Sequence, residues 1–385
     1  MNYLSENVIT NKSVILRCDF NVPVENGVIV DDSKIRKSLK TIVHLLENDN
    51  RVILLSHFGR IKKEEDKSNN SLIVVFKELK KYFDIEFISD PYDWSVLDTS
   101  IKKCFLVENT RYTDLPHKRE SANDLDLASY WSGYANVFVL DAFASSNRAH
   151  SSTAGLSKFL PTYFGFLMEE EIKGLKDLVE YNQSPFVVIM GGAKVDDKIK
   201  IIEELLEKCD KLILTGGILN TFLKSCDKNV GNSLVSEDEE VLNSVKSILN
   251  KYRQKIYFSD KFVVKRHDEI LKLSLNDIVD NDIIYDNIPN IKELIGEAKI
   301  VFWNGTCGKH EIDEYSEGTK ILLTDLKKTC AKVFIGGGDT ASATALLGSS
   351  HDYHYISSGG GATLEYVSSG KLKAVEWIKE NGVDN

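Results

Sequence analysis

Several features common in other classes of protein are scarce in this chain of 385 residues, and each shortage closes off a function. Positive charge is in deficit: 48 Lys and Arg stand against 58 Asp and Glu, a net charge of −10 with a pI near 5.4. Without a general positive field nothing gathers a polyanion, so nucleic acids and acidic membrane surfaces are not expected partners and any anion site must be local. No stretch approaches a membrane span, and the first residues, Met1-Asn-Tyr-Leu-Ser-Glu-Asn, hold neither a basic region nor an apolar run. The expectation is a cytoplasmic protein. Its six cysteines (Cys18, Cys104, Cys209, Cys226, Cys307, Cys330) lack paired spacing, which in a large chain reads as reduced thiols. Cys307-x-x-His310 has no second ligand pair nearby, so no zinc site is expected. Neither nucleotide fingerprint is intact: no G-x-G-x-x-G follows a strand-like run, and Gly305-Thr-Cys-Gly-Lys309 is short of the Walker spacing with no Ser or Thr after the lysine.

What is present is a repeat of short apolar runs and amphipathic segments, in a chain long enough for two cores. Val14–Arg17, Val52–Leu55, Cys104–Val107 and Val137–Leu140 read as buried parallel strands, and Ile35, Leu39, Ile42 and Leu46 mark the helix after the first. In such α/β sheets ligands bind beyond the carboxyl ends of the strands. There the first half carries Arg17, Asp19 and Asn21, then His57 and Arg60, then Asn109 and Arg111, then Asp141 and Arg148. Each alone reads as a solvated or salt-bridged charge. Four arginines and a histidine on one rim of an acidic protein instead suit a small, multiply charged anion, because guanidinium forks match phosphate and carboxylate.

The pattern changes between about Ser151 and Gln183, where Leu160-Pro161 is followed by a charged helix around Met168 and then Ser184-Pro185. Beyond it the strands end in glycines: Phe186–Met190 leads to Gly191-Gly-Ala-Lys194, Leu212–Leu214 to Thr215-Gly-Gly217, Val301–Trp303 to Asn304-Gly305, and Tyr355-Ile356 to Ser358-Gly-Gly-Gly361. A rim of bare backbone admits a base, a ribose and phosphates. The clearest case is Phe334-Ile-Gly-Gly-Gly-Asp-Thr340, where Asp339 or Thr340 is expected to cap an Ala-rich helix whose free N–H groups face a phosphate. Asp339 is also an acid placed to serve the Mg²⁺ accompanying that phosphate. Lys194 and Lys198, four apart at an expected helix start, would share a face and reach phosphate oxygens; a solvated lysine pair is the bland alternative.

These residues, taken in order, resemble the phosphoglycerate kinase family over essentially the whole chain. The motifs are Arg17-Cys-Asp-Phe-Asn-Val-Pro23, His57-Phe-Gly-Arg60, Asp141-Ala-Phe followed by Arg148-Ala-His-Ser-Ser, Gly191-Gly-Ala-Lys-Val195, Trp303-Asn-Gly305, Gly336-Gly-Gly-Asp-Thr340 and Gly359-Gly-Gly-Ala362. The resemblance implies two Rossmann-like parallel-sheet domains joined by a hinge helix. Residues 1–160 would hold the acceptor, 161–183 would link, 184–369 would bind the nucleotide, and 370–385 would pack back on the first domain. It implies a monomer, acting on small molecules, that reversibly transfers a phosphoryl group between ATP, as its Mg²⁺ complex, and the carboxylate of 3-phosphoglycerate, with GTP a possible alternative nucleotide. By matching position, Asp19, Asn21, His57, Arg60, Arg111 and Arg148 would bind the acceptor. Lys34, Lys194 and Lys198 would be catalytic. Gly192, Lys198, Gly216, Gly217, Glu311, Gly337, Gly338, Asp339 and Thr340 would bind the nucleotide, Glu311 at the ribose and Asp339 through the metal.

Departures from the family pattern are concentrated. Lys34 stands where the family has a catalytic arginine, and Arg36, about 200° further around the helix, cannot replace it. Thr215-Gly-Gly replaces three glycines, Trp303-Asn-Gly-Thr-Cys-Gly-Lys-His-Glu311 replaces Trp-Asn-Gly-Pro-Val-Gly-Val-Phe-Glu, Ala144-Ser-Ser-Asn147 replaces Gly-Thr-Ala-His, and Tyr285-Asp-Asn287 stands at an Asp-Ile-Gly turn. The drift leaves two alternatives beside the family reaction: a paralogous kinase for another small anionic carboxylate, or a non-catalytic binding protein. Retention of Lys194, Lys198 and Asp339 speaks against the second.

Overall fold

In a computed structural model describing residues 1–181, 184–347 and 352–383, the apolar runs of the first half become parallel strands. They are β1 (Ser13–Cys18), β2 (Arg51–Leu55), β3 (Ile85–Ile88), β4 (Cys104–Val107), β5 (Val137–Asp141) and β6 (Thr162–Phe164), in the order β3-β4-β2-β1-β5-β6. β4 and β5 are buried throughout, as strands covered on both faces must be. Helix α1 (Ser33–Glu47) lays Ile35, Ile42 and Leu45 against Val14, Leu16 and Val52, with Leu39 and Leu46 at the flank of that core. β3 escapes notice in the sequence because Glu86 interrupts its half-buried run, and β6 because it spans only three residues. Pro161 precedes the edge strand β6, where its missing N–H is not needed, and its carbonyl accepts from Phe138.

Helix α2 (Phe166–Val179) follows, and the chain divides inside it. One unit comprises Met1–Lys173 together with the chain from Lys371 onward; the other is Gly174–Gly370. The last two residues of the expected 161–183 linker and of the expected 370–385 tail lie outside the described residues. In the second unit come β7 (Phe186–Met190), β8 (Lys211–Leu214) and β9 (Ile256–Tyr257). Then an antiparallel sheet intervenes, β10 (Lys261–Arg266), β11 (Glu269–Ser274) and β12 (Ile283–Ile288), ordered β11-β10-β12. Finally β13 (Ile300–Asn304), β14 (Lys332–Gly336) and β15 (Tyr355–Ser357) complete a parallel sheet ordered β9-β8-β7-β13-β14-β15.

Two local expectations are corrected here. Tyr285-Asp-Asn287 is strand, not turn, since Ile283-Ile284 and Asp286–Ile288 pair along β10 on either side of a register shift between Val263 and Val264 that skips Tyr285. Helix α3 (Ile199–Lys208) starts after Lys198, so Lys194 and Lys198 share no helical face. Its apolar stripe begins only at Ile202, and the amide of Lys198 closes a turn on the Val195 carbonyl before it.

Candidate active site

At the carboxyl ends of β1, β2 and β4, a chain of hydrogen bonds fixes most of the acidic and basic residues expected there. Lys34, near the start of α1, places Nζ 3.1 Å from Asp19 Oδ2, and Asp19 Oδ1 accepts from the Asn21 amide at 3.1 Å. Asn21 Oδ1 in turn accepts from the Gly59 amide at 2.9 Å, and Arg111 donates to the Gly59 carbonyl. Asn109 pins the same loop from behind: its Oδ1 accepts from the amides of Phe58 and Arg111 and its Nδ2 donates to the carbonyls of Phe58 and Asn70. His57 thus arrives on a backbone held at both ends.

Burial and a local surplus of positive charge set the electrostatics here. Burial raises the Asp19 carboxyl, but Lys34, His57 and Arg17 outweigh it and hold the group below its ordinary range. Burial holds the His57 imidazole well below its usual value, and the surrounding Arg17, Arg111 and Lys34 reinforce this against Asp19. His57 Nδ1 lies 3.0 Å from Arg17 Nη2, which can only donate, so the ring is neutral with its proton on Nε2. Arg111 is lowered by burial and then by Arg148 and Arg17; His150 is pushed down to about 4 by burial and the same three arginines. Arg60 and Arg148 are exposed, and neither guanidinium has an ion-pair partner among the described residues.

Arg17 does not belong to this rim. It lies inside β1 and is fully buried, donating to the carbonyl oxygens of Cys18 and Leu55 as well as to His57. The strongest opposing charge it feels is that of Glu120, also fully buried, whose carboxylate accepts from Ser152 Oγ and N and from Thr110 Oγ1. Glu120 was invisible in the sequence: in His117-Lys-Arg-Glu120 it looks like one more surface charge.

In the second unit a cavity of about 370 Å³ is lined by Gly192, Gly216, Gly217, Glu311 and Asp339 among the expected residues. Lys194, Lys198, Gly337, Gly338 and Thr340 are not part of its wall. Lys198 precedes α3 and donates to the Gly191 carbonyl at 3.2 Å; burial lowers its pKa against the pull of Asp197 and Asp339, so it stands within electrostatic reach of the latter. Lys194 is exposed. Helix α5 (Gly338–Leu347) begins two or three residues earlier than a cap at Asp339 or Thr340 would place it, because Gly337 at φ +98° reverses the chain in one step. Neither Asp339 nor Thr340 therefore caps it: Asp339 stands exposed in its first turn, and the buried Thr340 hydroxyl accepts from the Gly305 amide at 2.7 Å.

The glycine rim is less bare than it reads. A side chain at Gly217 or Gly305 would meet the backbone of Ala193 or Gly191 at 2.1 and 2.2 Å, so these glycines let neighbouring loops touch. Gly338 is different, since nothing lies within 4 Å of the place a Cβ would take. It leaves an open approach to the first amides of α5. The cavity also contains residues that were assigned no binding role from the sequence: Asn220 from α4 (Gly216–Ser225), Asp286, whose carboxyl burial pushes up to about 7, and Lys309. Tyr285 stacks on Tyr315 with centroids 4.4 Å apart and planes at 14°, and Lys309 Nζ stands 5.2 Å from the Tyr285 centroid. Cys307 is buried and its thiol is held well above the usual value by that burial.

Against known proteins, the Phosphoglycerate kinase family matches residues 4–371. The chain is 38% identical to the phosphoglycerate kinase of Macrococcus caseolyticus, over 98% of each chain, and 39% identical to that of Finegoldia magna, over 97% of each. Among solved structures, phosphoglycerate kinase from Coxiella burnetii superposes with a TM-score of 0.80 at 32% identity, covering 98% of both chains. That from Pyrococcus horikoshii reaches 0.85 at 24% identity over 99% of both, a likeness of fold. By sequence along nearly its full length, the chain belongs to the phosphoglycerate kinase family.

Proposed function

We propose that this protein transfers a phosphoryl group reversibly between ATP and the carboxylate of 3-phosphoglycerate, forming 1,3-bisphosphoglycerate, as a monomer in the cytoplasm. The unit built from the first 173 residues would hold the acceptor and the second unit the nucleotide. The observation that carries the reading is the set of guanidiniums at Arg60, Arg111 and Arg148. They stand along one rim of an acidic protein, burial and then the charge of Arg148 lower the proton affinity of Arg111, and the forks of Arg60 and Arg148 have no ion-pair partner among the described residues. A phosphate dianion is the ligand such a rim fits best.

The roles follow from the chemistry of each group. Arg60, Arg111 and Arg148 take the 3-phosphate, with neutral His57 donating from Nε2 and Asp19 and Asn21 placing the rest of the acceptor. A carboxylate carries no proton at neutral pH, so its attack on phosphorus needs no general base. What the reaction does need is countercharge on the transferring oxygens, for which Lys34, Lys194 and Lys198 are the candidates. Gly192, Gly216 and Gly217 would border the base and ribose with Glu311, and the amides behind Gly337 and Gly338 would receive phosphate.

Among the described residues no three His, Cys, Asp or Glu side chains gather as a metal cage. Asp339 alone faces the cavity as a hard carboxylate at a helix start, which fits an Mg²⁺ that takes its other ligands from phosphate and water. When bound, that ion would neutralise charge on the phosphates.

A coupled assay with 3-phosphoglycerate and ATP tests the reading directly. Arg60→Ala and Arg148→Ala should each remove a charged fork worth roughly 1.5 to 3 kcal/mol, about a ten- to hundredfold loss of acceptor affinity. Equal affinities in parent and variants, or turnover only with another carboxylate, would remove 3-phosphoglycerate from this rim.

A further inference from the structure

Glu120 is fully buried and meets no ligand itself, yet its carboxylate joins two segments that carry rim arginines. One is the helical turn Thr110–Asp114, where the Thr110 hydroxyl, one residue before Arg111, donates to Oε1 at 3.3 Å. The other follows Arg148: the Ser152 hydroxyl donates to Oε1 and the Ser152 amide to Oε2 at 3.1 Å. Thr153, next in the chain, donates its hydroxyl to the Arg148 carbonyl at 2.8 Å and accepts from the His150 amide at 2.9 Å, so a hold on Ser152 is a hold on the Arg148 turn. Glu120 is itself fixed from both sides. Asp114 accepts from the amide and the hydroxyl of Ser121, and the Glu120 carbonyl accepts from the Ser151 amide at 3.0 Å.

Guanidiniums gathered for one anion repel one another until it is bound. Beyond burial, Arg111 feels the like charges of Arg148 and Arg17, opposed by those of Glu120 and Asp114. Two untied segments would relax apart under that repulsion, and binding would have to draw them together again at a cost in affinity. A buried carboxylate hydrogen-bonded to both holds them in place beforehand. We propose that Glu120 is a positioning residue for anion binding: it ties the Arg111 turn to the Arg148 turn so that both guanidiniums are set for one phosphate before it arrives. The inference rests on this rim being the acceptor site of the proposed kinase and names what keeps that site assembled.

Taking the bridge apart one strut at a time provides the test. Glu120→Ala also leaves buried Arg17 without its strongest opposing charge, so Thr110→Val and Ser152→Ala are the milder probes: each removes one hydroxyl from Oε1 and leaves every rim side chain in place. Phosphorus NMR titration of the full chain with inorganic phosphate and with 3-phosphoglycerate, without nucleotide, should show about threefold weaker binding in each mild variant and about tenfold or more in Glu120→Ala. Neither mild change should add to the loss in Glu120→Ala, because both act through the same carboxylate. In turnover the acceptor KM should rise by the same factors while kcat and the nucleotide KM stay within about twofold, whereas a general loosening would lower kcat and leave KM. Thermal melts identify the folded variants, and if Glu120→Ala is not among them the two mild variants decide. Unchanged anion affinity in both of these, or a fall in kcat at constant acceptor KM, overturns the proposal, as does a parent that binds neither anion. A parent that binds phosphate but not 3-phosphoglycerate, with phosphate still weakened in the variants, would sink the kinase reading and leave the bridge standing.

Discussion

Lys34 and Arg36, two residues apart on α1, are sent to different surroundings by the 100° step of the helix. Lys34 is partly buried 3.1 Å from Asp19, while Arg36 points to solvent and pairs with Asp32 at 2.8 Å. If Lys34 steadies the transferring phosphoryl group, it supplies charge without the planar fork that bridges two oxygens. Losing one preorganised donor typically costs about 10²- to 10³-fold in rate, and a retained charge recovers part of it. Lys34→Arg is therefore expected to raise kcat with little change in KM for the acceptor, and Lys34→Ala to abolish turnover nearly completely, as steady-state kinetics would show. Lower activity in Lys34→Arg would mean a site rebuilt around lysine. Helical geometry made this pair readable in advance. Arg17 was not, because a residue near the end of a strand can point to the rim or into the sheet, and only the partners Glu120 and His57, distant in sequence, decide which.

At the scale of elements, the start of α5 separates what the fold needs from what a ligand needs. Gly338 has ordinary helical company and open space where a side chain would go, so Gly338→Ala should keep or slightly raise thermal stability, by up to about 1 kcal/mol from helix propensity. The same methyl should obstruct the phosphate approach and raise KM for the nucleotide several-fold; unchanged nucleotide kinetics would show that the approach is unused. The end of β5 makes a second case. Asp141 is fully buried, its Oδ1 accepting from the Met168 amide at 3.1 Å and its Oδ2 unpaired, and burial raises its carboxyl to about 6. The folded value lies above the unfolded one near 3.9, so the native state binds the extra proton between them. Stability therefore falls as pH rises from about 4 to about 6, by at most about 3 kcal/mol. Asp141→Asn should stabilise the protein in urea titrations at pH 7.5 and hardly at all at pH 4, whereas an equal gain at both would contradict a buried charge as the cause. Most strands of both parallel sheets were legible as uninterrupted apolar runs, with β3, β6 and β9 the exceptions. The β10 to β12 sheet was not, since β11 is largely exposed and its pairing turns on His267 at φ +53°, a conformation sequence pattern does not advertise.

At the scale of the molecule, the chain leaves its first unit after Lys173 and returns to it at Lys371. Helix α6 (Lys373–Asn381) docks there through buried Ala374 and Val375, with Leu372 buried just before it. The Ala374 amide donates to the Ser146 carbonyl and that of Val383 to Ser157, both at 2.9 Å. Burial of a leucine and a valine is worth about 3 to 6 kcal/mol together, a large share of a domain's stability. A chain ending at Gly370 should exchange amide hydrogens faster throughout β1 to β6 while β7 to β9 and β13 to β15 stay protected, as peptide-resolved exchange would show. Equal protection of both sheets would mean that the returning helix is dispensable.

That return also sets a timetable. A ribosome delivers the first 173 residues well before the residues that finish them, and the whole of Gly174–Gly370 is threaded in between. At about 5 to 20 residues per second, the nascent first unit waits roughly 10 to 40 s with the seat of Leu372 and Val375 open to water and to other chains. During that interval it is the unit most in need of a chaperone, and the Ser146 carbonyl, two residues before Arg148, gains its Ala374 partner only after the second unit has emerged.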